Sequence, residues 1–191
     1  MTRTSADERR RQLTDAAVAI LIDEGPNGLT TRAVARRAGA PLGTVHYAFA
    51  GKDELLAAAA GQILGSFASA LRERVDETAG VRAAIDASLR SSWDWVRATP
   101  GLSTAVLETL VAGLRTSGTR ETMKAGEQVI LDVLERAARN DAHPPHIPLR
   151  DLARLMLVAT DGLMLVHGAD MRDERAEVDL RRLTAMLQGL V

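Results

Sequence analysis

Residues 31–50 limit the possible fold of this chain more than any other stretch of the sequence. Ala35 stands fifth in it, where a small side chain lets two helices touch. Gly39 stands ninth, where a tight turn between the helices needs a positive φ angle. Five small or apolar residues occupy the positions that such a helix pair buries: Val34, Ala38, Ala40, Val45 and Ala48. Together these positions predict a helix-turn-helix, whose second helix enters the major groove of DNA. An ordinary helical hairpin with a glycine turn is the alternative.

The rest of the chain is predicted to be all-α, with about nine helices, because apolar residues recur at helical spacing. A capping box at residues 5–8 opens the first helix, and residues 25–28 end it. Thr30 caps the second helix, and Pro41 suits the first turn of the third. Residues 99–101 and the proline-rich residues 141–148 are breaks. The later helices are expected at 52–77, 80–98, 102–114, 120–139, 149–168 and 174–190.

Charge is distributed unevenly along the chain. The net charge is −1, yet residues 1–52 hold eight Lys/Arg and five Asp/Glu, whereas residues 53–191 hold sixteen and twenty. Residues 25–52 contain four basic side chains and no acidic one. A basic patch on an acidic body is typical of a local binding site for phosphates.

The composition excludes several classes of function. The chain has no cysteine, which excludes disulfides, thiol catalysis and cysteine zinc sites. Catalytic and phosphate-loop motifs are absent, so neither an enzyme nor a cofactor is expected. Asp141, His143 and His146 lack further ligands for a metal. Asp161 and His167 lie about 240° apart around a helix and do not predict a dyad. With neither a secretory signal nor a membrane span in the sequence, we expect a cytoplasmic protein.

About fifty N-terminal residues resemble the TetR family of bacterial transcription regulators. The resemblance is carried by residues 29–32, 38–39, 43–49 and 52–56. It implies a three-helix DNA-binding domain over residues 1–51 and a helical effector-binding and dimerisation domain over residues 52–191. It also implies a homodimer on double-stranded DNA that carries a palindromic operator.

The resemblance assigns the DNA contacts. Thr44, Tyr47 and Lys52 are expected to contact phosphates, and Phe49 to fill the space between the third and first helices. His46 stands where the family usually has tyrosine. Leu42 is expected against a thymine methyl, and the direct reading of bases is expected to be limited to Arg32, His46 and Thr44, aided by DNA shape. The candidate DNA-binding residues are Thr31, Arg32, Leu42, Gly43, Thr44, His46, Tyr47 and Lys52. Two alternatives stay open for Arg36 and Arg37, which lie either in the interface or on a solvated face. Two also stay open for the N-terminal arginines, which form either a basic arm or a disordered tail: Arg3, Arg9, Arg10 and Arg11.

The body supplies two further sets of candidates. Trp93 is expected to point inward and Trp95 outward, because they lie two residues apart on a helix. A mostly aliphatic effector pocket is predicted from Trp93, Leu107, Leu110, Val111, Met123, Met156, Asp161 and Met164. A dimer interface is predicted on the last two helices from Leu157, Leu165, Leu180, Leu183, Met186 and Leu187.

These expectations combine into one functional hypothesis, with two alternatives. The protein is expected to be a dimeric repressor that a small apolar or amphipathic ligand releases from its operator, with no membrane partner. One alternative is a regulator of the same fold that answers to a protein partner. The other is an unrelated all-α binding protein.

Overall fold

A computed structural model describes residues 5–75, 79–112, 117–139, 141, 145–167 and 174–191. Within these ranges every regular element is a helix, which confirms the all-α prediction. The nine helices are α1 Ala6–Gly28, α2 Thr31–Arg37, α3 Leu42–Ala48, α4 Lys52–Arg74, α5 Gly80–Ala98, α6 Pro100–Ala112, α7 Ser117–Ala138, α8 Leu149–His167 and α9 Glu174–Gln188.

The predicted break at residues 99–101 is wrong in extent. Only Thr99 separates α5 from α6, and Pro100 is the first residue of α6. Proline favours this position because the first residues of a helix need no hydrogen-bonded N–H. The Thr99 hydroxyl donates to Trp95 O at 2.7 Å, and Ser103 Oγ donates to Thr99 O at 3.0 Å. These bonds hold the junction without a loop.

The predicted start of α7 is also displaced, since the helix begins at Ser117 and not at residue 120. α4 ends at Arg74 and not at the predicted residue 77, since Val75 is no longer helical, and the predicted helix ends at residues 114 and 168 lie outside the described residues.

α1 contains a kink at the place where the sequence predicts its end. Ser5 Oγ accepts from the Glu8 N–H at 3.1 Å, as the capping box requires. Gly25 interrupts the helix with φ 68° and ψ −175°, a conformation that is almost confined to glycine. Pro26 begins the final turn, and its carbonyl accepts a hydrogen bond from Lys52 Nζ at 2.9 Å.

The chain divides into two compact units. The first comprises residues 1–65 and 104–122, and the second comprises residues 66–103 and 123–191. The first unit contains the whole of α1, α2 and α3. The proposed domain boundary after residue 51 stays a prediction.

The core of the first unit is built around the three N-terminal helices. α1 packs against α2 and α3, which also pack on each other. The side chains buried there include Leu13, Ala17, Ile20, Leu21, Leu29, Val34, Val45, Phe49, Leu55 and Ala59. Phe49 lies in this core as predicted, with the Arg10 guanidinium carbon 4.1 Å from the centre of its ring.

In the core of the second unit α5, α8 and α9 each pack against the other two, and α7 contributes further buried side chains, among them Ile130 and Leu134. Trp93 is buried, as predicted, whereas Trp95 is half-buried with its ring edge-on to that of Phe67 at a centroid distance of 5.7 Å. Buried His167 is paired across helices, with its Nε2 3.3 Å from Asp179 Oδ2 of α9. Its ring also lies edge-on to Trp93.

α4 is the one helix of the described ranges whose length and composition meet the criteria for crossing a membrane. Core helices of proteins without a membrane segment meet the same criteria, so this observation is weak evidence.

The kink predicts a stability change for Gly25→Ala. This variant should lower the free energy of unfolding by about 1–3 kcal/mol, because an L-residue is strained at the observed φ and ψ. Its Cβ would also lie 2.5 Å from Glu108 Oε2, so that carboxylate must move. Urea unfolding midpoints measure the effect.

Gly61→Ala is the matched control for this experiment. Gly61 lies inside α4, and a Cβ there meets open space. We expect a gain of about 0.5–1 kcal/mol from this substitution, because alanine is the better helix former. An unchanged midpoint for Gly25→Ala would contradict the assigned backbone conformation.

Candidate nucleic-acid interface

The turn between α2 and α3 has the geometry that the sequence predicts. The Thr30 side chain accepts from the Ala33 N–H at 3.1 Å and so caps α2. Gly39 adopts φ 60°, and its N–H donates to Arg36 O at 3.2 Å. The next N–H, of Ala40, donates to Ala35 O at 2.9 Å. This pair of bonds is a Schellman motif, which ends α2 and redirects the chain into α3.

α3 has one buried side and one exposed side. Val45 is fully buried against the core, whereas His46 is exposed and Tyr47 is 89% exposed. Leu42, which is 37% exposed, lies one turn from His46, and exposed Gly43 lies one turn from Tyr47. These four predicted contact residues therefore share the outward side of the helix.

Of the other predicted contacts, Thr44 lies within α3, whereas Thr31, Arg32 and Lys52 lie in the first turns of α2 and α4. Thr31 and Thr44 are half-buried, and Arg32 and Lys52 are exposed. Lys52 stands at the first position of α4, and its bond to the Pro26 carbonyl leaves two of its three ammonium donors for another group.

The arginines near the N-terminus do not form an extended arm where they are described. Because the Ser5 cap starts α1, Arg9, Arg10 and Arg11 are all helical. Arg9 Nη1 donates to Gln12 Oε1 at 3.1 Å, and Arg11 Nη2 donates to Glu8 Oε2 at 2.6 Å. Arg3 lies outside the described residues.

In the turn region one arginine is paired. Arg37 Nη2 lies 2.6 Å from Asp23 Oδ2, while Arg36 and Arg32 are exposed. The positive charge offered to solvent here therefore comes from Arg32, Arg36 and Lys52. These three cations accompany the exposed side of α3 in the same unit, which is the arrangement that phosphate binding needs.

The predicted effector residues differ in burial. In the second unit Trp93, Met156 and Met164 are buried, whereas Met123 and Asp161 are half-buried. Trp93 belongs to α5, and Met156 and Met164 belong to α8, which packs against it.

Three further predicted pocket residues lie in the part of α6 that belongs to the first unit. Leu107 and Leu110 are half-buried there, and Val111 is 62% exposed. All eight assignments to a pocket remain predictions.

The predicted dimer residues also divide into two groups. Leu180 and Leu187 are buried in the core of a single chain, so they serve its own packing. Leu157 and Leu183 are half-buried, while Leu165 is 67% and Met186 is 70% exposed.

The structure adds three exposed residues that the sequence reading missed: Leu155, Val158 and Val166. The apolar pattern of α8 runs around most of its circumference, so the pattern alone does not distinguish its inner side from its outer side.

The described residues contain no group of three or more metal-ligating side chains. Asp141 has a structural contact, since its Oδ2 accepts from the Val81 N–H at 2.8 Å at the start of α5. His143 lies outside the described residues, and His146 is exposed.

A Schellman turn, a short helix with one exposed side and nearby free cations define a helix-turn-helix DNA-binding protein. The family model for bacterial regulatory proteins of the tetR family matches residues 13–59. The nicotine-responsive transcriptional repressor HdnoR of Paenarthrobacter nicotinovorans is 30% identical over 177 residues, covering 91% of this chain and 90% of HdnoR. The chain therefore belongs to the TetR family of transcriptional regulators.

Solved structures agree on the fold. A TetR-family regulator from Streptomyces coelicolor superposes with a TM-score of 0.73 at 19% identity, covering all of this chain and 82% of that one. The multidrug binding protein EbrR complexed with ethidium gives a TM-score of 0.74 at 24% identity, covering 94% of this chain and 98% of EbrR. Both likenesses support the helical fold of the whole chain.

The interface predicts different roles for phosphate contacts and base contacts. Lys52→Ala should weaken binding to every duplex and reduce the log–log salt slope by about one, because one counterion fewer is released. Tyr47→Phe should also weaken binding without altering which sequence is preferred. Fluorescence anisotropy over a series of KCl concentrations measures both quantities, with Lys52→Arg as the charge-preserving control.

His46→Ala should change the preferred sequence and leave the salt slope unaltered, because a base-edge contact releases no counterion. Selection from a random duplex library compares the two preferences. An identical preference would show that His46 does not read bases.

Proposed function

We propose that this protein represses transcription as a homodimer on an inverted-repeat operator and that a small amphipathic cation releases it. The DNA-binding part of the proposal rests on the exposed side of α3 and on the nearby cations Arg32, Arg36 and Lys52, with which no carboxylate of the described residues pairs. Repression, as opposed to activation, is supported by the similarity to HdnoR, which is a transcriptional repressor. A bacterial regulator of this kind acts in the cytoplasm, where the DNA is.

We propose that a second copy of the chain packs against the outer side of α8 and α9. Leu155, Val158 and Leu165 lie on one side of α8, and Met186 of α9 is exposed as well. Gly162, between Val158 and Leu165, has open space where a Cβ would stand, so a partner helix can approach its backbone. Exposed apolar surface of this kind favours symmetric pairing. The two copies of α3 would then read half-sites separated by about 34–36 Å or somewhat more.

The dimer proposal predicts that charge on this surface abolishes operator binding. Leu165→Glu and Met186→Glu should each yield a monomer by sedimentation velocity, because a buried unpaired carboxylate opposes association. Library selection with the parent protein should enrich an inverted repeat, and the two variants should lose affinity for it. Ile22→Glu, at an exposed apolar residue of α1, is the matched control and should remain dimeric. A dimeric Met186→Glu variant that binds the repeat normally would contradict the proposal.

The cationic effector is inferred from Asp161. Its neighbours one turn away along α8 are all apolar: Leu157, Val158, Met164 and Leu165. Gly126 of α7 comes close on this side, since a Cβ there would lie 3.6 Å from Leu157 Cδ1. Burial raises the pKa of Asp161 from 3.8 to about 6. A carboxylate in apolar surroundings gains most from a partner that brings positive charge and apolar surface together.

The names of similar proteins agree with this class of ligand. HdnoR is nicotine-responsive, and EbrR was crystallised with ethidium. Buried Met156 and Met164 suit such a ligand, because methionine side chains repack readily around different shapes. Ligand and operator would then oppose each other with a coupling of about 1–3 kcal/mol.

This assignment predicts a pH-dependent ligand affinity. A cation favours the ionised carboxylate, so ethidium binding should strengthen as the pH rises through 6 and should release protons below pH 7. Asp161→Asn should weaken binding roughly tenfold and abolish the pH dependence. Isothermal titration without DNA, in two buffers of different ionisation enthalpy, measures affinity and proton release.

Stability of the unliganded protein provides the control for that experiment. A pKa that is raised in the folded state makes the free energy of unfolding fall as the pH rises from about 4 to 6. Asp161→Asn should therefore be at least as stable as the parent at pH 7. Equal ethidium affinity in a folded Asp161→Asn variant would overturn the role of Asp161.

A further inference from the structure

α3 is too short to be stable, or to hold a fixed orientation, by itself. It has seven residues, its N-cap residue Pro41 makes no side-chain capping bond, and Val45 is its one buried residue. A helix of this length is not stable in isolation. Its orientation therefore depends on contacts that the rest of the first unit makes with its two ends.

Arg10 of α1 makes three contacts where α3 ends and α4 begins. Its Nη1 donates to Ala48 O, a carbonyl that the end of a helix leaves without an internal partner. Its Nη2 donates to Glu54 Oε1 at 2.8 Å. The same guanidinium covers the ring of buried Phe49, which follows α3 directly.

Glu54 completes the connection from the other side. Its Oε2 accepts from the Ala50 N–H at 2.7 Å, while its Oε1 accepts from Arg10. The hydrogen bond from Ala50, and then the one from Arg10, lower the pKa of Glu54, which is therefore ionised at neutral pH. One carboxylate thus ties the loop after α3 to α1 and to the first turn of α4.

We propose that Arg10 and Glu54 are positioning residues for DNA recognition, and we call the pair the Arg10–Glu54 clamp. The clamp holds residues 48–54, a segment that directly follows the candidate phosphate contact Tyr47 and contains the candidate phosphate contact Lys52. It sets the separation of these two groups and the angle at which α3 meets the groove. Two of the five guanidinium N–H donors of Arg10 are directed at Ala48 and Glu54, so we expect Arg10 to act through these contacts and not through a phosphate.

This inference rests on the proposed reading role of α3, and three properties separate a positioning role from other roles. A lost phosphate contact lowers the salt slope by about one. A general loss of stability lowers the active fraction for all duplexes alike, so the ratio of specific to non-specific affinity is unchanged. Loss of positioning lowers that ratio and leaves the slope unaltered, because no charge leaves the interface.

The experiment compares Arg10→Lys, Arg10→Ala and Glu54→Gln with the parent in full-length protein. Anisotropy titrations use the selected inverted repeat and a scrambled duplex over a series of KCl concentrations. Arg10→Ala should lower the specificity ratio roughly tenfold or more, as loss of charge-assisted hydrogen bonds does, and leave the slope unaltered. Arg10→Lys retains the charge and should recover part of the loss.

Two comparisons complete the test. Arg11→Ala is the matched control, because Arg11 lies in the same helix, pairs with Glu8 and should change the ratio less than about twofold. Arg10→Lys combined with Glu54→Gln should cost less than the sum of the two changes, since both disrupt one network.

An unchanged specificity ratio in Arg10→Ala would overturn the clamp, and so would a slope reduced by about one, which would make Arg10 a phosphate contact. If Lys52→Ala also left affinity and slope unchanged, the proposed interface itself would fail. If Lys52→Ala lowered the affinity and the salt slope as expected while Arg10→Ala left the specificity ratio unchanged, only the clamp would be refuted.

Discussion

The left-handed conformation of Gly39 is the constraint on which the DNA-binding part of the molecule depends. With φ 60°, this residue turns the chain while the carbonyls at the end of α2 remain hydrogen-bonded. Val34 of α2 and Val45 of α3 are then both buried in one core. As a consequence, the opposite side of α3 faces solvent, and it is this exposed side that we propose to meet DNA.

The basic residues of the first unit differ in whether a carboxylate of the chain pairs with them. Arg10, Arg11 and Arg37 are each occupied by a carboxylate within the chain. Arg32 and Arg36 are exposed, and Lys52 is bonded only through a backbone carbonyl, which leaves its charge uncompensated. The local excess of positive charge therefore has two parts: cations that are paired within the chain, and exposed cations that we propose to bind phosphates.

The second unit combines a well-packed interior with two surfaces that a single chain does not satisfy. Asp161 is a carboxylate held among apolar neighbours, and the outer side of α8 and α9 exposes large aliphatic groups. Each feature costs free energy in the isolated chain and is relieved by a partner of complementary chemistry. The proposed cation and the proposed second copy are the partners that suit them.

The sequence by itself determined the all-α class, the caps at Ser5 and Thr30, the glycine turn, and which residues of α3 face outward. These properties follow from short-range rules, since capping, φ preference and helical period involve residues within a few positions of each other. Thr99–Gly101 shows where such rules fail, because proline both ends one helix and begins the next.

Only the tertiary structure decided which arginines are free. Arg10 meets Ala48 and Glu54 across 38 and 44 positions, and no local pattern announces such a pair. It also decided that Leu180 and Leu187 are buried while Leu165 and Met186 are exposed. An apolar stripe wide enough to cover two sides of a helix indicates burial somewhere, but the choice of side depends on the neighbouring helices.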